Sequence, residues 1–413
     1  MKRLQPRSYH AFRCIGADCD DTCCVGWIVN VDKPTYEAYQ RCDDPEMGPR
    51  LHKLVTINTG HSSDDDYARI KLSSPACPFL SEGLCSIQKN LGEQYLSFMC
   101  SAYPRVTNVV DDVLQRSLDL SCPEAARIVL LDPNPMLFDE DEGPPRDPRL
   151  GAMSILNTMP PPTSNGESDK PHQYFREIRG FVIWLLQYRA YPLWKRLAIL
   201  GSFCDDLHEM TVAGSISETR EKLEEYRDMV RHNLLDELLD NEPPQPAVQL
   251  GIVLELIVGR IGSDFTPARF VECYRQFMHG IDWTETSSMT YIGGRYAEAF
   301  SQYFAPFLSE HEYMLEHFLV SYVHRTLFPL GPQAKSIRDH CMMLIAHYAV
   351  IQTVLIGVAG FRRNDFNSGH AIQVIQSSTK TFGHSVTFPA HALKLFQEHK
   401  IESCTGLAML MRN

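Results

Sequence analysis

Seven cysteines packed into two short knots near the N-terminal end restrict this chain more than any other feature. The first knot is Cys14-Ile-Gly-Ala-Asp-Cys19-Asp-Asp-Thr-Cys23-Cys24. The second is Cys77-Pro-Phe-Leu-Ser-Glu-Gly-Leu-Cys85, with Cys100 after it in Met-Cys-Ser-Ala-Tyr-Pro-Arg. Thiolates at this density repel one another unless a cation or a disulfide takes up the charge. A fold built around them therefore needs a ligand at its centre.

Residues 1–10 are polar and contain no apolar h-region, so the expected setting is a reducing, cytoplasmic one. Clustered cysteines in such a compartment bind metal or do redox chemistry. Paired C-x2-C knuckles and short Cys/His pairs, the usual marks of zinc, are absent; the next His after Cys100 is His172. An all-cysteine array with irregular gaps suits an iron–sulfur cluster, which takes four thiolates. On spacing a four-iron, four-sulfur (4Fe–4S) cluster is favoured, with zinc as the alternative. The candidate ligands are Cys14, Cys19, Cys23, Cys24, Cys77, Cys85, Cys100 and Cys122, enough for one site or two. Cys23 and Cys24 are adjacent and point in different directions on a helix, which suits different roles.

The formal net charge is −12, with 51 acidic and 39 basic residues, and no Lys/Arg tract occurs. Nucleic acid is thereby excluded as an expected partner, since phosphate neutralisation needs clustered cations. No run reaches the roughly 18–20 apolar residues of a membrane span. The most apolar stretch, 341–360, is broken by His347, Gln352 and Gly357 and reads as a buried core helix.

The fold class expected is mainly α: a small, loop-rich cysteine domain over 1–131 and a multi-helix domain over 172–413. Between them, 132–171 is acidic and proline-rich and reads as a linker, with a short apolar piece at 150–156 docking within it. Before it, the sequence suggests strands near 27–32 and 68–72, a helix over 33–42 capped at Asp32, and a helix start at Pro123. After it, apolar residues recur at i, i+3, i+4 over 173–188, 193–206, 217–239, 247–261 and 268–279. The same pattern marks 295–304, 310–327, 336–359 and 368–381.

The residues between the cysteines carry a family resemblance. Phe12-Arg-Cys14-Ile-Gly, Cys19-Asp-Asp-Thr-Cys23-Cys24-Val-Gly-Trp27, Cys77-Pro-Phe-Leu, Cys100-Ser-Ala-Tyr-Pro-Arg105 and Leu-Ser-Cys122-Pro-Glu resemble the opening of the flagellin lysine N-methylases. Weaker likeness continues near Phe328-Pro329, 348–360 and 375–384. The resemblance implies a cytoplasmic enzyme that methylates lysine ε-amines of flagellin, with S-adenosylmethionine as methyl donor and an iron–sulfur cluster as cofactor. The reading in another class is a metal-chelating or carrier protein without catalysis.

The catalytic residues are not legible. A doubly wound methyltransferase needs a strand before its Gly-rich turn, whereas Gly357-Val-Ala-Gly360 ends a helical pattern and reads as helix packing. The C-x3-C-x2-C motif of radical enzymes begins at Cys19 and Cys23 but fails at Gly26. Gly293-Gly294, Tyr291, Tyr296, Glu298 and the histidines of 311–347 all have structural readings, and none is assigned as base.

Overall fold

The computed structural model describes residues 1–60, 63–143, 155–158, 171–241, 243–261 and 266–413. Helices dominate, as expected. The linker expectation over 144–154 and 159–170 lies outside the described residues.

Around the second knot, three short strands pair in the order Asn30–Val31, Ala68–Ile70, Val55–Ile57. Asp32 opens the helix Lys33–Gln40: its carboxylate accepts the Thr35 backbone N–H at 3.0 Å, and Pro34 fits the first turn. The other carboxylate oxygen accepts the Phe98 N–H at 2.8 Å, so one cap also fixes the short helix Phe98–Ala102 that carries Cys100. Tyr39 is buried, and its hydroxyl donates to Tyr95 O at 2.8 Å. With Val31, Met47, Leu51 and Phe79 it forms a small core of its own, onto which Cys24, Cys77, Cys85 and Cys100 pack.

A second sheet runs Ile155–Leu156, Arg105–Val110, Val113–Leu118, Lys2–Pro6, Phe138–Glu142. Its central hairpin turns at Asp111 and Asp112, both with positive φ (48° and 65°), as a two-residue turn matching the twist of its strands requires. Lys2–Pro6 lies parallel to Val113–Leu118 and antiparallel to Phe138–Glu142. Two of the five strands thus come from the segment read as linker, and Ile155–Leu156 pairs with Arg105–Val110, outside that segment, rather than docking within it.

The helical part wraps the helix Ile337–Arg362; contrary to the expectation that no run reaches span length, Ile337–Asp365 is long and apolar enough to cross a membrane, and it is 94% buried inside the protein over its most apolar window. Gly357 and Gly360 allow the helix Ala268–Gly280 to cross it closely: a Cβ on Gly357 would stand 2.9 Å from Phe277 backbone atoms. This confirms the helix-packing reading. Gly293 likewise faces Ala247, inside the helix Met289–Ala299. The expected helix over 217–239 is interrupted: Thr219–Arg231 ends before Asn233, whose φ is +55°, and Asp236–Asp240 follows. A buried ion network fastens Leu193–Ala213 to Ala305–Arg325, with Glu316 taking Arg196 at 2.9 Å and Arg189 at 2.8 Å.

Phe12, Leu118, Leu120, Cys122 and Ala125 belong to the large helical core rather than to the small one. The sheet rests on the helices through Asn108 Nδ2 to Arg325 O (2.8 Å) and His324 Nε2 to Arg116 O (3.0 Å). The first cysteine knot therefore lies between two packed bodies.

Candidate metal centre at the cysteine knots

Folding brings the two knots together. Cys77 is buried, and its N–H donates to Cys24 O at 2.8 Å, joining knot to knot through the backbone. Burial raises the Cys77 thiol, and the neighbouring charges of Cys85 and Cys23 raise it further. Cys100 is pushed up to about 12, first by burial, then by Cys85, Cys77 and Cys23, against the pull of the Ser97 hydroxyl. Cys122 also reaches about 12, by burial and then by Cys19 and Cys23, although the Ala125 and Glu124 N–H groups oppose the rise. Cys23 is driven upward chiefly by its hydrogen bond with Cys24 and by burial. Cys23, with Cys24 against it, Cys77, Cys85 and Cys100 bear on one another's charge as one set, and Cys19, Cys23 and Cys122 as a second that shares Cys23.

Metal-free, such thiols stay protonated because each thiolate raises the cost of the next; a bound cation reverses that balance. The donor chemistry, several cysteine sulfurs brought together, fits an iron–sulfur cluster and also zinc. Among the described residues, no group of three or more His, Cys, Asp or Glu side chains stands in finished metal-holding geometry. Cys14 is exposed and enters neither set. Cys42, buried in the small core, joins neither. Three of the cysteines outside the knots converge instead: Cys204, Cys341 and Cys404 are fully buried, and Cys404 Sγ donates to Arg338 O at 3.4 Å.

The helix Ser368–Phe382 clamps the first knot. Lys380 Nζ donates to Asp21 Oδ2 at 2.9 Å and to Thr22 O at 2.8 Å. Gln376 Nε2 bridges Asp21 Oδ2 (2.9 Å) and Ser121 O (2.7 Å), and Arg269 holds Asp20 at 2.8 Å. Beside this clamp lies a polar constellation that sequence reasoning missed. His384 Nε2 is 3.0 Å from Ser121 Oγ and 3.7 Å from Asp119 Oδ2, and the Tyr103 hydroxyl is 3.0 Å from the same Ser121 Oγ. Trp27 covers them, its ring centroid 5.3 Å from Tyr103 and 6.2 Å from His384, with Nε1 donating to Cys23 O at 2.5 Å. Asp119 is 4% exposed. Burial works to raise its pKa, but Arg325 at 3.6 Å, His384 and the Ser121 donors outweigh it and hold the carboxyl below the usual range.

Trp27, Tyr103, Ser121 and His384 all lie in the quoted motif stretches. Their types were visible, but nothing local connects residue 121 with residue 384. The earlier candidates sit elsewhere in structural roles. Tyr296 is fully buried, Tyr291 is exposed and bonded to Asp282, and Glu298 pairs with Arg295. His317, His324 and His340 are buried.

The FliB lysine N-methylase C-terminal domain family matches residues 179–410, more than half of the chain. The flagellar biosynthetic protein FliU of Salmonella muenchen is 34% identical over 139 residues, which cover 33% of this chain and 81% of that protein. Lysine-N-methylases of Salmonella typhimurium and Salmonella choleraesuis are also 34% identical over 139 residues, a segment spanning about a third (34%) of each. No solved structure matches.

Proposed function

From a chain that belongs to the FliB lysine N-methylase family, we propose a protein-lysine N-methyltransferase acting on flagellin in the cytoplasm, with S-adenosylmethionine as donor and an iron–sulfur cluster on the N-terminal cysteines. The observation that carries it is the position of the His384, Asp119, Ser121, Tyr103 and Trp27 constellation directly beside Cys23 and Cys122.

A lysine ε-ammonium, with an ordinary pKa near 10.4, must lose a proton before its nitrogen can attack carbon. Trp27 and Tyr103 offer aromatic faces of the kind that attract an ammonium, and Asp119 contributes a fixed negative charge. With His384 Nε2 donating toward Ser121 and Asp119, Nδ1 is left as the acceptor. It takes the ammonium proton, and Asp119 stabilises the imidazolium that results, the logic of an oriented His–Asp pair. S-adenosylmethionine, when bound, supplies the methyl group: the new N–C bond forms as the sulfonium S–C bond breaks. Cys23, Cys77, Cys85 and Cys100 are the set we assign to the cluster, which when bound contributes local charge and couples ligation to folding.

Co-expression with flagellin tests this reading. Methyl-sized mass increments on flagellin lysines are expected with the wild-type chain and their loss with His384→Gln. A metal-loaded protein that leaves flagellin unmodified favours a non-catalytic metal chelator or carrier.

A further inference from the structure

A large cleft lies away from the cysteines, between the five-stranded sheet and the helix Phe175–Leu186. Its volume is about 750 Å³, within the roughly 300–1,000 Å³ of ordinary ligand pockets. Arg179 lines it and is 6% exposed; its Nη2 donates to Gln115 Oε1 at 3.0 Å, while its Nη1 has no hydrogen-bond partner. Arg176 beside it pairs with Asp111 at 3.2 Å, whereas Arg179 meets no carboxylate among the described residues. Burial, and then repulsion from Arg176, bring the Arg179 pKa down to about 10, as expected of a guanidinium with no anion.

His324, 1% exposed, lines the same cleft. Its Nε2 donates to Arg116 O at 3.0 Å, which leaves Nδ1 with a lone pair and no partner. Burial and Arg179 keep that ring neutral. The wall of the cleft thus buries an unfilled donor and an unfilled acceptor, close enough for one charge to bear on the other. Among the described residues, four basic and four acidic side chains line it, Glu140 and Asp141 among the latter. A balanced lining disfavours a dianion such as phosphate and favours a ligand carrying both signs.

We propose that this cleft binds an α-amino carboxylate, the carboxylate on Arg179 and the ammonium toward His324 Nδ1 and the acidic wall. The chemistry is shared by a free amino acid and by the amino-acid end of a larger molecule. The free-amino-acid source is independent of lysine methylation; the larger source would place the proposed methyl donor here and rests on that reading.

The test is calorimetric titration of the full chain with L-methionine and with S-adenosylhomocysteine, using acetate and methylamine as controls. Saturable binding of L-methionine at least tenfold tighter than either control is expected. Much tighter binding of S-adenosylhomocysteine would identify the larger source, and equal binding a free amino acid. Arg179→Gln should abolish binding. Because Arg179 is buried and its variant can misfold, Arg176→Gln, at an exposed position, is the second variant and should weaken binding several-fold. Absence of binding by both amino-acid ligands at millimolar concentration overturns the proposal. So does acetate binding as tightly as L-methionine, or an unchanged affinity in both folded variants.

Discussion

Lys380 and Asp21 are 359 residues apart in sequence and 2.9 Å apart in space, with side chains 10% and 15% exposed. This pair closes the helical body onto the first cysteine knot. Removing one partner leaves the other charge half-desolvated, at a cost of about 1–3 kcal/mol. Lys380→Met should lower stability by that amount and reduce the metal retained at Cys23 and its partners. The Asp21→Asn, Lys380→Met double variant should recover part of the loss, since no orphaned charge is left. Urea denaturation and metal analysis of the three proteins measure this; losses that simply add would show the pair to be uncoupled.

Acid should destabilise the helical body before it protonates carboxylates. Burial drives the His324 pKa down to about 3 and that of His340 down to about 4. A depressed histidine pKa means that the unfolded chain takes up protons the folded chain refuses. The contribution is therefore fully present above the ordinary value near 6.5 and is lost as pH falls toward 4. For His340 the difference is on the order of 3 kcal/mol. His340→Gln, which can keep the hydrogen bond to Thr326 Oγ1 (3.2 Å in the wild type), should flatten the decline. Stability measured at intervals from pH 7 to 4 checks it, and an identical slope in the variant refutes it.

Local signals carried the elements whose causes are local. Asp32 and Pro34 mark the start of Lys33–Gln40, Pro123 opens Pro123–Leu130, and the apolar run at 341–360 is the core of Ile337–Arg362. The five-stranded sheet was not legible, because Lys2–Pro6 finds its partners at Val113–Leu118 and Phe138–Glu142, pairings set by tertiary packing. The acidic strand 138–142 reads as solvated loop until Arg3 and Arg7 are seen facing it. The same holds at the site. Cysteine density announced a ligand centre, but the meeting of His384 with Ser121 spans 263 residues and has no periodicity to betray it.

The cysteines divide into groups with different expected responses. Serine at Cys77, Cys85 or Cys100 should remove iron and sulfide from anaerobically prepared protein and lower soluble yield, because ligation and folding are coupled. Serine at Cys14, exposed and outside both sets, should remove less. Serine at Cys341 should leave iron in place while costing about 1–3 kcal/mol, since it puts a hydroxyl among buried thiols. Iron and sulfide analysis together with thermal unfolding separates these outcomes. Equal iron loss at Cys341 and Cys100 would discard the N-terminal assignment, and stoichiometric zinc without sulfide would replace iron by zinc.

The proton-transfer assignment makes the sharpest kinetic demand. If His384 Nδ1 receives the lysine proton, kcat should rise with pH through one ionisation and level off, because only the neutral ring can accept. His384→Gln keeps a hydrogen bond toward Ser121 but cannot take a proton. It should lower kcat by roughly 10²–10⁴-fold and abolish that ionisation, with little change in KM. Asp119→Asn acts differently. It removes the charge that holds the ring and stabilises the imidazolium but leaves the proton acceptor, so kcat should fall less than in His384→Gln. Because Asp119 also pairs with Arg325, circular dichroism and iron content must match the wild type before the rate is compared. A folded, iron-loaded His384→Gln enzyme with an unchanged pH profile would exclude His384 as base and leave it a packing partner of Trp27.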